Sequence, residues 1–548
     1  MARKAQPSRG ACRRIGRRRA GSECERPPPR RGSEPAPCGP SGRPVDSAAL
    51  AGARLLLVTL LASAPAARAQ SAAPFALSEW RVPGRAIEAF AARDESGRER
   101  MLVISLEGSA PEERRFVSFL REAGGAGNAA VEIPAQAVAV DAAELGLAPG
   151  PELLWLSASE LRIVASTGET LRREAFEPLL PLPARTWELA RAELVRDWDA
   201  DGRPEVLLPS ARGARLLPLA DGDAAQSLEL PLIADYGSPS LDNWFRPGLL
   251  WGLFSWPTLA LADDDGDGRL DLYAANRFEL LVFRAGPDGL PEQPSARRRF
   301  PPFTPEEERR HTGTTLLAFA RDLDGDGRAD LVAHRIVGSL LRSHAVTTVH
   351  PNAGRGPDPG AEPLARVESK GGTSVIQLVD LDGDGRVELL EGYLPFGVVQ
   401  AVRMLTLGRL EARLRVLALP GEAGAAPVET WRAEVSFPFD FETSRVLGVM
   451  PYTEADWNGD GVRDLCWGDG SGKLRFRLGE PRRGGPGYGP VAASLALPLS
   501  GDLVAADLDG DGLPDFVAHD PLDREGRVQV GMNRGTLPGT RPGLRATE

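Results

Sequence analysis

From about residue 75 onward the chain alternates short apolar runs with clusters of aspartate and glycine. Examples of the runs are Met101-Leu102-Val103-Ile104, Val375-Ile376-Gln377-Leu378-Val379 and Phe516-Val517-Ala518. Short β-rich runs bounded by turn formers predict strands. The pattern is that of many short strands joined by tight acidic turns.

Six of the acidic turns share one ten-residue pattern. They read DWDADGRPEV from Asp197, DDDGDGRLDL from Asp263, DLDGDGRADL from Asp322, DLDGDGRVEL from Asp380, DWNGDGVRDL from Asp456 and DLDGDGLPDF from Asp507. Each places an oxygen-bearing side chain at positions 1, 3, 5 and 9. The first set is Asp197, Asp199, Asp201 and Glu205; the second is Asp263, Asp265, Asp267 and Asp271. The third is Asp322, Asp324, Asp326 and Asp330; the fourth is Asp380, Asp382, Asp384 and Glu388. The fifth is Asp456, Asn458, Asp460 and Asp464; the sixth is Asp507, Asp509, Asp511 and Asp515.

This spacing suits a hard cation. Calcium takes six to eight oxygens at about 2.3–2.6 Å. A tight loop that turns alternate side chains inward delivers such oxygens, and the backbone carbonyl of position 7 completes the set. Those carbonyls belong to Arg203, Arg269, Arg328, Arg386, Val462 and Leu513. Position 6 is always glycine, Gly202 in the first loop and Gly512 in the last, as a turn with positive φ requires. An EF-hand would run to a glutamate at position 12 between helices. Here the last acid falls at position 9 and strands flank the loop. The reading is about six Ca2+ sites in β-hairpins.

The first aspartates, at 197, 263, 322, 380, 456 and 507, recur every 51 to 76 residues. A fixed unit of this size suggests a propeller whose blades of about 40–50 residues carry insertions. Two degenerate units precede the six. Asp94-Glu95-Ser96-Gly97-Arg98 leads into Met101–Ile104, and Val140-Asp141 leads to Pro151-Glu152-Leu153-Leu154-Trp155. The expected fold is all-β: a propeller of four-stranded antiparallel blades with calcium loops in hairpins. Eight blades are expected, seven being the alternative. The last unit lacks an outer strand, which Phe75 to Val82 can supply.

The loops resemble the FG-GAP or VCBS repeats of secreted bacterial proteins, and through them the calcium loops of the integrin α-subunit propeller. The resemblance runs from Gln70 to about Arg534. It implies an exported calcium-binding scaffold for adhesion or binding, with an extracellular glycan or protein as ligand. A lyase-like enzyme acting on polysaccharide is the alternative on the same fold. No matching motif marks the integrin partner-binding surface.

Composition adds direction. The chain has 548 residues and a net charge of −11, and much of its acid sits in the loops. Nucleic acid is therefore not an expected partner. Residues 1–44 are rich in Arg, Pro, Gly and Ser and predict no packed core. Residues 45–69 hold Leu55-Leu56-Leu57-Val58-Thr59-Leu60-Leu61 and Ala67-Arg68-Ala69, the pattern of a cleaved signal peptide. A start site upstream of the true one is the expected reason for its distance from Met1. Secretion, or a periplasmic or cell-surface location, follows. No later stretch is apolar enough to span a membrane. The domain expected is 70–535, followed by a disordered tail at 536–548.

No catalytic constellation stands out. His311, His344 and His350 fall where long connections are expected, and each reads as a surface histidine. Cys466 is expected as a buried small apolar residue. The insert from Asp235 to Trp256 gathers Tyr236, Trp244, Phe245, Trp251, Phe254 and Trp256. Those aromatics suit either a core-covering blade strand or a binding loop.

Overall fold

The computed structural model describes residues 73–541, apart from 110–111, 121–128, 177–188, 211–212, 220–224, 231–232, 238–250, 288, 305–314, 338–343, 371–373, 396, 423–424, 443–444 and 483–484. The Arg/Pro-rich and signal-like segments, 1–44 and 45–69, lie outside the described residues.

The apolar runs are continuous because both faces of each sheet are covered. In the strand Glu99–Glu107, Leu102 and Ile104 enter one apolar cluster. Met101 and Val103, pointing the other way, enter a different one. A blade with two apolar faces cannot stand alone. The solution is a ring of eight blades, each built on four antiparallel strands; Ala190–Arg191, in parallel, and Arg445–Val446 add a short fifth strand to two of them. The blades cover 85–133, 139–175, 195–228, 258–299, 315–370, 374–446 and 449–496, with an eighth at 502–533. Eight apolar clusters fill the eight boundaries between neighbouring blades. First strands of adjacent blades pack against one another and so line the axis.

The strand Phe75–Arg81 closes the ring. It pairs antiparallel with Arg527–Asn533 as the fourth strand of blade 8, with Phe75 opposite Asn533 and Arg81 opposite Arg527. Phe75 is 2% exposed. Its ring stacks on Phe476 at 5.1 Å and meets Trp457 and Phe516 edge-on. The closing strand thus anchors the boundary of blades 7 and 8 as well as its own sheet.

Several expectations need correcting. His344 and His350 begin and end one strand of blade 5, not a long connection, because Ala345, Thr347 and Val349 are buried in alternation; His350 is itself buried and not a surface histidine. His311 lies outside the described residues. The aromatic insert is not a blade strand: Ile233–Gly237 and Trp251–Ser255 form a separate two-stranded hairpin. Residues 238–250, with Trp244 and Phe245, lie outside the described residues. Trp256 does pack on the cluster between blades 3 and 4. Where a tail was expected, 536–541 packs down. Leu537 is 3% exposed, and the Arg541 N–H donates to the Asn458 carbonyl at 3.1 Å. Cys466 is fully buried on a strand of blade 7.

Candidate metal centres

All six acidic loops join the first strand of a blade to its second. One internal scaffold recurs. The position-6 N–H donates to the position-1 carboxylate, from Gly202 to Asp197 at 3.0 Å and from Gly461 to Asp456 at 2.7 Å. The same bond recurs in the other four loops. The position-7 N–H donates to the position-5 carboxylate in every loop. Position 9 reaches back under the turn. Its carboxylate accepts the position-2 N–H, as Glu205 does from Trp198 at 2.9 Å and Asp271 from Asp264 at 2.7 Å. Asp330, Glu388, Asp464 and Asp515 do the same. The acids are thus held close together before any ion is considered.

In five loops at least three acids bring carboxylate oxygens within 4.8 Å of one another. The first loop gathers Asp197, Asp199, Asp201 and Glu205. The second gathers Asp263, Asp265 and Asp271; the third, Asp322, Asp324 and Asp330; the fourth, Asp380, Asp382 and Glu388. The sixth gathers Asp507, Asp509 and Asp511. Expected ligands Asp326 and Asp384 stand outside these groups, as does Asp515. Asp267 turns instead to the Arg269 guanidinium at 2.8–3.0 Å. In the fifth loop Asp456, Asp460 and Asp464 form no such group. There the Asn458 amide donates to Asp460 at 2.9 Å and to the Pro538 carbonyl at 3.1 Å.

A cation fits this donor set. Asp197 Oδ1, Asp382 Oδ1 and Asp511 Oδ2 are buried and accept no hydrogen bond. Burial, and then neighbouring carboxylates, raise the pKa of Asp199, Asp382 and Asp511. At position 9 burial is the leading cause, opposed by backbone N–H donors. It lifts Glu205, Glu388 and Asp515 to about 7, Asp271 and Asp330 to about 6, and Asp464 to about 8. Crowded, desolvated carboxylates are what a hard divalent cation relieves.

The two degenerate loops clarify the rule. In blade 1 the Ser96 hydroxyl, joined by the Arg100 guanidinium 2.7 Å away, holds the Asp94 carboxyl at about 2. A fixed cation thus takes the neutralising role. In blade 2 the loop starts at Glu144, not Asp141. Glu152 opens the second strand as Glu205 does, and it accepts the Leu145 N–H at 2.8 Å, the same position-9 bond. Asp141 lies within the first strand and clamps blade 3 through the N–H groups of Leu194 and Val195.

Two features escaped sequence reading. Position 4 also has positive φ, at Gly266, Gly325, Gly383, Gly459 and Gly510, and in the first loop at Ala200 with φ 59°. The glycines were visible in five of six loops. The second feature is a hydrogen-bond ladder between loops. Ala329 N–H donates to the Asp263 carbonyl at 2.7 Å, Val387 to Leu323 at 2.9 Å and Arg463 to Leu381 at 2.8 Å. Each donor is position 8 of one loop and each acceptor is position 1 or 2 of the loop before it.

Residues 456–518, spanning the fifth and sixth loops, match the FG-GAP-like repeat. No curated protein matches the chain. Among solved structures it is similar to Sqt1 from Chaetomium thermophilum, with 10% identity and a TM-score of 0.40 over 84% of this chain and 100% of that one. It is also similar to the Tc holotoxin pore of Photorhabdus luminescens, with 15% identity and a TM-score of 0.24 over 83% of this chain and 20% of that one. Likeness at that level carries no argument, and the blade count stands on this chain's own sheets. With that match and eight closed blades together, the chain is a β-propeller that carries an FG-GAP-like repeat across its fifth and sixth loops.

Proposed function

We propose that the acidic loops hold calcium and that the calcium-braced ring is an exported binding scaffold for an extracellular or cell-surface polymer or protein. The observation that carries the metal reading is the convergence of three or four carboxylates in five loops, with buried oxygens left unpaired. Asp197, Asp199, Asp201 and Glu205 would hold the first ion, and the corresponding acids the others. The ion supplies positive charge that offsets the crowded carboxylates and pins each first strand to its second.

The scaffold reading follows from rigidity. Eight blades fix many connecting loops on one frame, and binding residues concentrate on loops held that way. Fold alone warrants this reading only by analogy. Export is supported by the signal-like pattern of 45–69 and by the millimolar calcium outside cells, which suits sites of ~10⁻⁴–10⁻³ M affinity.

The test is binding of the chain to arrays of polysaccharides and extracellular proteins, in calcium and in EDTA. Calcium-dependent capture of one polymer class without its breakdown supports the proposal. New unsaturated chain ends would point to a lyase. Equal binding in EDTA by metal-free protein would contradict the calcium-braced scaffold.

A further inference from the structure

Three arginines meet over one cleft where blades 6 and 7 join, at the blade end that carries the acidic loops. Arg432 comes from the strand Val428–Asp440, Arg477 from Lys473–Glu480, and Arg482 from the turn that follows. Glu429, Thr430, Trp431, Tyr488, Gly489 and Pro490 complete the lining.

The charges do not balance. Arg432 lies 3.7 Å from Glu429, and Arg482 lies 3.1 Å from Glu480. Among the described residues, Arg477 has no carboxylate partner. Its Nη1 donates to the Gly489 carbonyl at 2.8 Å. Its guanidinium carbon lies 5.9 Å from the Trp431 ring centre and 5.6 Å from that of Trp467. Burial and the nearby Arg482 both work against its charge. Cation–π contact offsets part of that cost, but a half-buried charge without a counter-ion remains unfavourable. In a chain of net charge −11, this is a local positive excess.

A guanidinium fork matches two oxygens of a carboxylate or sulfate, and a second arginine across the same opening adds to the attraction. We infer that this cleft is an oxyanion subsite. It takes a carboxylate or sulfate group, whether a free anion or one carried by an acidic saccharide.

The test is calorimetric titration of the full calcium-loaded chain with sodium glucuronate, sodium sulfate and an oligogalacturonate, with calcium matched in cell and syringe. Arg477→Gln and Arg482→Gln are titrated alongside. The expected result is saturable binding that weakens about tenfold or more in each variant, as loss of a charge-assisted contact implies. Equal binding of monomer and oligomer identifies a small-anion site; preference for the oligomer identifies an acidic saccharide. Arg477 packs on tryptophans, so Arg482→Gln, an exposed position, provides the variant that leaves the fold intact. No binding of any of the three anions overturns the inference. So does wild-type affinity in both variants.

Discussion

The side-chain amide of Asn533 donates to the backbone carbonyl of Trp457 at 2.9 Å, across the boundary of blades 7 and 8. Elsewhere in the ladder that donor is the backbone N–H of position 8. In the sixth loop position 8 is Pro514, which has no N–H. Asn533 fills the gap, and it also donates to Pro514's carbonyl at 3.1 Å.

Asn533→Ala should therefore destabilise the chain by about 1–3 kcal/mol, the cost of leaving buried carbonyls unsatisfied. Pro514→Ala, which restores a backbone donor, should recover part of that loss. Urea unfolding of both single variants and the double variant measures the coupling. Strictly additive effects would contradict the substitution of one donor for the other.

Ala200 is a non-glycine residue with positive φ at a place where five sister loops carry glycine. A left-handed alanine costs about 1–2 kcal/mol, partly returned by the greater freedom of glycine in the unfolded chain. Ala200→Gly should stabilise the protein by roughly 0.5–1 kcal/mol. A thermal midpoint at or below that of the parent contradicts it.

Phe75 joins the closing strand to three rings of blades 7 and 8. Phe75→Ala should cost about 3–5 kcal/mol, as aromatic truncation in a packed core does. Hydrogen exchange should then rise first along Phe75–Arg81 and its partner Arg527–Asn533. Uniform loosening of all blades would argue against a specific seam.

The position-9 acids set a pH dependence. In the unfolded chain they ionise near pH 4. In the metal-free fold burial holds them at about 6 to 8. Between those values the unfolded chain has released protons that the fold retains, so metal-free stability should fall as pH rises from about 4 to about 8. With calcium the sign should reverse, because protons compete with the ion for the same oxygens. Melting curves across that range, in EDTA and in calcium, check both slopes.

Most of the frame was legible in sequence because one loop repeats. The blade number and the closing strand Phe75–Arg81 follow from counting units. Position 9 is legible by place, because an acid at or just before the start of the second strand ends each turn. Misreading came where a repeat had decayed. Without an aspartate at its head, the blade 2 loop offered Asp141 as a false start, and only the bond from Leu145 to Glu152 fixes Glu144 as position 1. The ladder between loops joins backbone atoms 64 to 82 residues apart, and backbone bonds leave no side-chain signature. Arg100 neutralising Asp94 was hidden for a different reason: an arginine beside a strand resembles any surface charge.

The most direct test of the account is thermal unfolding of the chain in EDTA and across a calcium titration, with bound metal counted. Five sites at ten times their dissociation constant would add about 7 kcal/mol if independent. The unfolding entropy of a ring this long is about 1 kcal/mol/K, so the midpoint should rise by roughly 5–10 °C. About five or six calcium ions should be bound per chain. An unchanged midpoint with no bound metal would contradict the reading of the acidic loops as calcium sites.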